Sequence, residues 1–140
     1  MKLLDILEST ESNLHVAQMM TQGLRYLKID LKDVEVKTQA YKHSLQKQCF
    51  NNSYRYLIDH FSDNNKYVLG YVFYKGIPIE HAWVNIHDQN LDVTLDVDKQ
   101  DGYISAIEIS METLLAFVDK NEFAPSIYDL NKFMHKNKEH

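Results

Sequence analysis

Strand-like segments follow one another between Tyr67 and Asp98, separated only by short turns. Tyr67 to Tyr74 is rich in aromatic and β-branched residues, which is typical of a well-buried strand. Lys75-Gly76 predicts a turn, and a second strand follows from Ile77 to Asn85. Neighbouring strands joined by such short turns run antiparallel. This part of the chain therefore predicts an antiparallel meander.

The meander continues beyond a second turn at residues 87–90. Apolar residues alternate there with polar ones, which predicts a half-buried strand. The apolar positions are Leu91, Val93, Leu95 and Val97, and the polar ones are Asp92, Thr94, Asp96 and Asp98. Tyr103 to Ile109 predicts a fourth strand.

Helical patterns lie on both sides of the meander. Phe50, Tyr54, Leu57, Ile58 and Phe61 form one apolar stripe, which predicts a helix that ends before residues 62–65. Ser110 and Ser126 are placed to cap two further helices. Residues 1–26 also have helical spacing, whereas residues 29–48 are ambiguous between strand, loop and helix.

The predicted fold is a single α+β domain over residues 1–140. It has N-terminal helices, a core helix opened by Cys49 and packed on an antiparallel sheet of three to four strands, and C-terminal helices. The apolar fraction of 44% and the charged fraction of 25% are those of a globular protein.

The net charge of -5 argues against a nucleic-acid partner, because such proteins cluster Lys and Arg. Cys49 is the single cysteine, which excludes an internal disulfide and zinc sites built on two or more thiolates. The longest charge-free apolar stretch, Tyr67 to Tyr74, is too short to span a bilayer. These features predict a soluble cytoplasmic protein with no membrane partner.

Cys49 is a candidate nucleophile because it immediately precedes an apolar helical stripe. At a helix N-terminus, unpaired amides and the helix dipole favour the thiolate over the thiol. Its polar neighbours, Gln48 and residues 51–53, could donate hydrogen bonds to a developing oxyanion. A buried structural cysteine is the alternative interpretation.

His81 is the histidine best placed to act as a base. It lies inside a predicted strand on the face shared with Ile77, Ile79 and Trp83, so its orientation should be fixed at the edge of the core. A core histidine with satisfied hydrogen bonds is the alternative. A metal site that also used His87 is disfavoured, because six residues of strand separate the two by about 20 Å.

A carboxylate on the next strand could fix the tautomer of the His81 ring. With a turn centred on Asp88-Gln89, a regular hairpin places Asn85 opposite Asp92 and His81 opposite Asp96. Simple geometry therefore favours Asp96. The alternative is that these aspartates form the solvated face of an amphipathic strand.

Four segments carry a family resemblance when they are taken in order: Gln48 to Ser53, Gly70-Tyr71, His81-Ala82-Trp83-Val84 and Leu91-Asp92-Val93-Thr94. Over about residues 45 to 110, the chain resembles the transglutaminase-like, papain-like cysteine superfamily, in a small phage or bacterial type. The resemblance implies that Cys49 is the nucleophile, His81 the base and acid, and Asp92 the orienting carboxylate. Val93 stands where the family usually has proline, the segment from His to Asp is short, and Asp96 is the reserve carboxylate.

The resemblance implies amide hydrolysis or acyl transfer through a covalent acyl-enzyme, with no metal or organic cofactor. Gln48 or the backbone amide of Cys49 is the candidate for oxyanion stabilisation. The substrate would be a protein, a peptide or a small amide or acyl compound. The alternative is a catalytically inactive relative that acts as a protein-binding inhibitor or host-interaction factor.

Overall fold

The structure is a computed structural model and describes residues 31–39 and 48–138. Within these residues the fold is α+β, with three α-helices and one six-stranded sheet. The strands are β1 (Lys32–Val34), β2 (Val36–Thr38), β3 (Lys66–Tyr74), β4 (Ile77–Ile86), β5 (Gln89–Asp92) and β6 (Gly102–Ser110). The helices are α1 (Cys49–Asp59), α2 (Met111–Asn121) and α3 (Ile127–Lys138), with a 3-10 turn at Val97–Lys99.

The sheet is larger than predicted, and it is mixed. Its strand order is β1-β6-β3-β4-β5-β2, and β2 pairs with β5 in parallel while the other pairs are antiparallel. The prediction of three to four antiparallel strands was wrong at both edges, because β1 and β2 arise from the ambiguous segment 29–48. The helices predicted within residues 1–26 lie outside the described residues.

The two edge strands force the sheet to curl. β1 and β2 lie at opposite edges, yet only Glu35 separates them along the chain. Two residues of extended chain span about 7 Å, so the edges must approach each other. Val34 and Val36 pack from the two edges onto one small apolar cluster, which also contains Val68, Val72, Trp83, Tyr103, Leu95 and Val97. This cluster therefore lies on the inner, concave face of the sheet.

The helices pack against the outer face and form the main core. One fully buried leucine comes from each helix: Leu57, Leu114 and Leu130. They join a cluster of sheet residues, namely Tyr67, Leu69, Ala82, Val84, Ala106, Ile107 and Ile109. Among the described helices, none has the length and apolar character needed to cross a membrane.

Three local predictions were wrong in extent. The strand predicted through Asp98 stops at Asp92, where the chain turns away from β4. Helix α1 ends at Asp59, and Phe61 beyond it is 56% exposed. Ile77 and Ile79, expected inside, are 61% and 49% exposed near the tip of the β3–β4 hairpin. An alternating pattern gives the face of a strand, but not whether another element covers that face.

The predicted serine caps are present. Ser110 Oγ accepts a hydrogen bond from the Thr113 amide at 3.2 Å. Ser126 and Asp129 bond reciprocally, since Asp129 N–H donates to Ser126 Oγ and Ser126 N–H donates to Asp129 Oδ2. This reciprocal pair is a capping box at the start of α3.

Ser126→Ala should lower the free energy of unfolding by about 1 kcal/mol, because α3 loses its N-cap acceptor. Urea unfolding followed by circular dichroism measures the change. Ser126→Thr keeps a hydroxyl that accepts from the Asp129 amide and donates to the Asp129 carboxylate, and it should retain most of the stability. Equal stability of Ser126→Ala and the native chain would contradict a stabilising role for this cap.

Candidate active site

The first residue of helix α1 carries the only thiol. Cys49 opens the helix directly after Gln48, whose carbonyl accepts the Asn52 amide at 2.8 Å. The Cys49 side chain is nearly buried, with the residue 8% exposed, and it interacts with His81, whose pKa it raises. The prediction that Cys49 begins a core helix is thus confirmed. Gln48 is exposed beside it, so its contribution to an oxyanion site stays a prediction.

His81 and Asp92 form a buried pair. His81 Nε2 lies 2.8 Å from Asp92 Oδ2, and the two residues are 3% and 1% exposed. Because Asp92 occupies Nε2, Nδ1 is the ring nitrogen left to exchange a proton with the Cys49 thiol. The structure therefore brings together the thiol, the imidazole and the carboxylate that the resemblance selected.

The β4–β5 hairpin explains why Asp92, and not Asp96, reaches the histidine. Its turn is His87-Asp88, with φ of 51° and 65°, as in a two-residue hairpin turn of the mirror-image type. The resulting register pairs Asn85 with Asn90, two residues away from the predicted partner Asp92. Continued along the strands, this register puts Asp92 diagonal to His81 on the same face.

Asp96 has a different role. Its side chain accepts the Asp98 amide and caps the 3-10 turn, and the residue is exposed. The geometric preference for Asp96 was wrong because it assumed a regular strand through residues 91–98 and a turn one residue later. Asp92 itself ends that strand: its Oδ1 accepts the amides of Thr94 and Leu95, both at 2.9 Å, which bends the backbone.

Tyr103 completes the surroundings of Asp92. Its hydroxyl donates to Asp92 Oδ2, the oxygen that also contacts His81. Tyr103 lies on β6, two strands away from β4 in the sheet order, and only the curl of the sheet brings it to Asp92. In the sequence, Tyr103 has the pattern of an ordinary strand residue, and no local motif marks it as part of a site.

A further contact ties the helix to the loop that carries Asp92. Asn52, on the first turn of α1 and 1% exposed, donates from Nδ2 to Thr94 Oγ1 at 3.2 Å. Thr94 in turn donates its amide to Asp92. The sequence suggested an oxyanion donor within residues 51–53, whereas the structure places Asn52 as a link between helix and loop.

The charge on His81 follows from its neighbours. Burial alone lowers the pKa of His81, but the hydrogen bonds and negative charges of Asp92 and Cys49 outweigh it and raise the pKa from 6.5 to about 9. The folded protein therefore binds this proton more tightly than the unfolded chain does. The stabilisation that results is fully present below about pH 6.5 and is lost as the pH rises through about 9.

Asp92 shifts in the opposite direction. Burial raises the pKa of Asp92, but the hydrogen bond and charge of His81, the Leu95 amide and the Tyr103 hydroxyl together bring it below its ordinary value of 3.8. Burial and the charge of Asp92 also raise the pKa of Tyr103. At neutral pH the site thus holds an ionised Asp92, a protonated His81 and a neutral Tyr103.

Close packing of aromatic rings fixes the imidazole. Trp83 is fully buried, and its Nε1 donates to Asn90 Oδ1 at 3.1 Å. The Trp83 ring lies 6.1 Å from His81 and meets Tyr103 edge to face at 5.3 Å. Gly70, the register partner of His81 on β3, leaves room for this arrangement.

Comparisons of the chain with protein-family models, curated proteins and solved structures found no significant match.

Proposed function

We propose that this protein performs cysteine-dependent acyl chemistry, either amide hydrolysis or acyl transfer, with Cys49 as nucleophile, His81 as base and acid, and Asp92 as the orienting carboxylate. The observation that carries the proposal is a buried group of side chains in which Asp92 contacts His81 at 2.8 Å and Cys49 interacts with the same imidazole. Its members come from a helix terminus and two strands. This order of nucleophile, base and orienting group is the one that nucleophilic catalysis requires.

The first half of the reaction forms an acyl-enzyme. Cys49 reacts as the thiolate beside protonated His81, whose Nδ1 carries the proton that the thiol has given up, and the sulfur attacks the carbonyl carbon of the substrate. The new C–S bond forms, the carbonyl oxygen becomes an oxyanion, and its collapse breaks the bond to the leaving group. His81 returns the proton to the departing nitrogen or oxygen.

The second half releases the acyl group. A water molecule or an amine attacks the thioester, and His81 accepts the proton of this second nucleophile. The C–S bond then breaks, and the thiolate recovers a proton from His81. Water gives hydrolysis and an amine gives acyl transfer, and the same three side chains serve both outcomes.

The helix terminus supplies the electrostatics for these steps. Backbone amides of the first turn have no partner within the helix, and the helix dipole is positive at this end. The amide of Cys49 is our candidate donor to the oxyanion. An anionic sulfur and an anionic oxygen are both stabilised there.

An acylation assay tests the proposal. The full chain is incubated with p-nitrophenyl acetate, and mass spectrometry locates the acetyl group. We expect a thioester on Cys49 that is lost in Cys49→Ala and forms slowly in His81→Ala. Acetylation restricted to lysines, or equal acetylation of Cys49 in His81→Ala, would contradict the proposed chemistry. The inactive, protein-binding alternative predicts those negative results.

The pH dependence of alkylation tests the state of the site without any substrate. Iodoacetamide reacts with the thiolate. We expect Cys49 to react already at pH 6, where protonated His81, with its pKa of about 9, places a positive charge beside the sulfur. In His81→Ala, alkylation should require a pH near about 8.5, as for an ordinary thiol.

His60→Ala is the matched control for alkylation. His60 follows the last residue of the same helix, where its Nδ1 contacts the Tyr56 carbonyl, far from the helix start. Its removal should leave the pH profile unchanged. A native profile that already matches an ordinary thiol would remove the main support for an activated cysteine.

A further inference from the structure

The carboxylate of Asp92 is surrounded by hydrogen-bond donors. The backbone amides of Thr94 and Leu95 donate to Oδ1, and His81 and Tyr103 lie on Oδ2. An amide N–H and a protonated imidazole can only donate. A protonated carboxyl group would carry a hydrogen of its own into this ring of donors. The arrangement therefore fits the ionised form of Asp92.

Tyr103 lies on a more distant strand of the sheet than the elements that carry the other three donors. The two amides belong to the loop that follows Asp92, and His81 belongs to the neighbouring strand β4. Tyr103 reaches Oδ2 from β6, across the inside of the curled sheet. The loop amides fix one oxygen of the carboxylate and Tyr103 fixes the other, so the carboxylate cannot rotate away from the histidine.

The Tyr103 ring is itself held in place. The residue is 3% exposed, its ring packs edge to face on Trp83 at an interplanar angle of 83°, and it lies 6.1 Å from the His81 ring. The hydroxyl position is therefore set by the core and not by a mobile surface side chain. The hydroxyl therefore stays in position to donate its hydrogen bond to the Asp92 carboxylate.

We propose that Tyr103 is a positioning residue that keeps Asp92 ionised and directed at His81. This inference deepens the proposed function and rests on it. Through Asp92, Tyr103 controls which ring nitrogen of His81 faces Cys49 and how strongly His81 holds its proton. It acts on the reaction only through these groups and does not contact the thiol or the substrate.

Several titratable groups surround Asp92, and a test must distinguish the effect of Tyr103 on Asp92 from the titration of the other groups. His81 faces it from β4 and Tyr103 from β6, while Cys49 of α1 acts on it through His81. Asp96, in the segment after β5, acts on Tyr103 by its charge. A measurement on the Asp92 carboxyl group itself distinguishes the effect of Tyr103 from the titration of these neighbours.

Tyr103→Phe removes the hydroxyl and keeps the ring. With 13C-labelled aspartate in the full chain, NMR follows the titration of Asp92, and Asp92→Asn assigns its signal. In the native chain the pKa of Asp92 should lie below 3.8. In Tyr103→Phe its titration should move up by about one pH unit, because a hydrogen bond to an ionised group contributes about tenfold or more to an equilibrium constant. The acid limb of Cys49 acetylation should move in the same direction.

Two comparisons distinguish positioning from packing. Tyr67→Phe also removes a buried phenol hydroxyl, which donates to the Pro125 carbonyl at 2.7 Å, and it should leave the Asp92 titration in place. Replacement of Tyr103 by 3-fluorotyrosine keeps the ring and provides a more acidic donor, so the titration should move down. This second variant keeps the test decisive if Tyr103→Phe folds poorly.

The outcomes separate this inference from the proposed function. An unchanged Asp92 titration in Tyr103→Phe, or an upward shift with 3-fluorotyrosine, would overturn the role of Tyr103 whether or not the protein is an acyl-enzyme. Failure of the native chain to acetylate Cys49 would instead overturn the proposed function, and with it the positioning role in catalysis. The expected NMR shifts together with a displaced acid limb of acetylation support both.

Discussion

Asp92→Asn is expected to slow formation of the acetyl-enzyme by about 10³-fold, and Asp96→Asn is expected to leave the rate unchanged. In Asp92→Asn, the oxygen of the new side-chain amide can still accept the two loop amides. The nitrogen of that side-chain amide then faces His81 as a donor and forces the hydrogen of the ring onto Nδ1. The ring nitrogen that faces Cys49 can then no longer accept its proton.

The two aspartates form a matched pair for this experiment. Asp92 is 1% exposed and contacts His81, whereas Asp96 is exposed and caps the 3-10 turn. Both substitutions remove one negative charge at nearly constant volume. Burst kinetics with p-nitrophenyl acetate measure the rate, and near-UV circular dichroism checks the fold. If Asp96→Asn slowed acetyl-enzyme formation and Asp92→Asn did not, Asp96 would be the orienting carboxylate.

Gly70→Ala is expected to lower the free energy of unfolding by about 3 kcal/mol or more. A Cβ at this position would lie 2.0 Å from the carbonyl oxygen of Ile104 and 2.8 Å from the Trp83 ring. The carbonyl belongs to the adjacent strand β6 and cannot move without loss of pairing. The pairing with β6 shifts register between Leu69 and Gly70, so the backbone is already irregular there.

Gly76→Ala is the control for Gly70→Ala. Gly76 lies in the β3–β4 turn with φ of 78°, and an added Cβ there meets no atom within 4 Å. Gly76→Ala should lower the free energy of unfolding by about 1 kcal/mol, because the only penalty is the strain of a left-handed backbone. Urea unfolding of both variants gives the comparison. If Gly70→Ala costs no more than Gly76→Ala, the close approach of β3, β6 and Trp83 does not restrict this position.

Local sequence patterns predicted several elements well. The apolar stripe after Cys49 predicted α1, the two serines predicted the starts of α2 and α3, and the aromatic and β-branched run predicted β3. Each of these signals lies within a few residues, so the chain needs no distant contact to express it. The polar segment 29–48 had no clear period, and β1 and β2 were missed because partner strands, not local propensity, define such short edges.

The candidate site also contains some residues that local sequence identifies and others that depend on tertiary contacts. Cys49 and His81 can be identified from their positions alone, at the start of a helix and inside a strand. The choice between Asp92 and Asp96 depended on the turn, and one residue of difference in the turn moves every partner across the hairpin. The backbone bend at Asp92 comes from its own side chain and contradicts the alternating pattern around it.

Short-range patterns in the sequence were sufficient to place the main helices and central strands and to single out Cys49 and His81 as a candidate nucleophile and base, because those properties depend on local spacing. Long-range packing was needed to pair Asp92 with His81, to bring Tyr103 to the same oxygen and to tie α1 to the loop through Asn52. The contact of Tyr103 with Asp92 requires the curl of the sheet. The curl arises because β1 and β2, which a single residue separates in the chain, pair at opposite edges of the sheet. No local pattern encodes that closure, since its free energy comes from pairing between strands far apart in the chain.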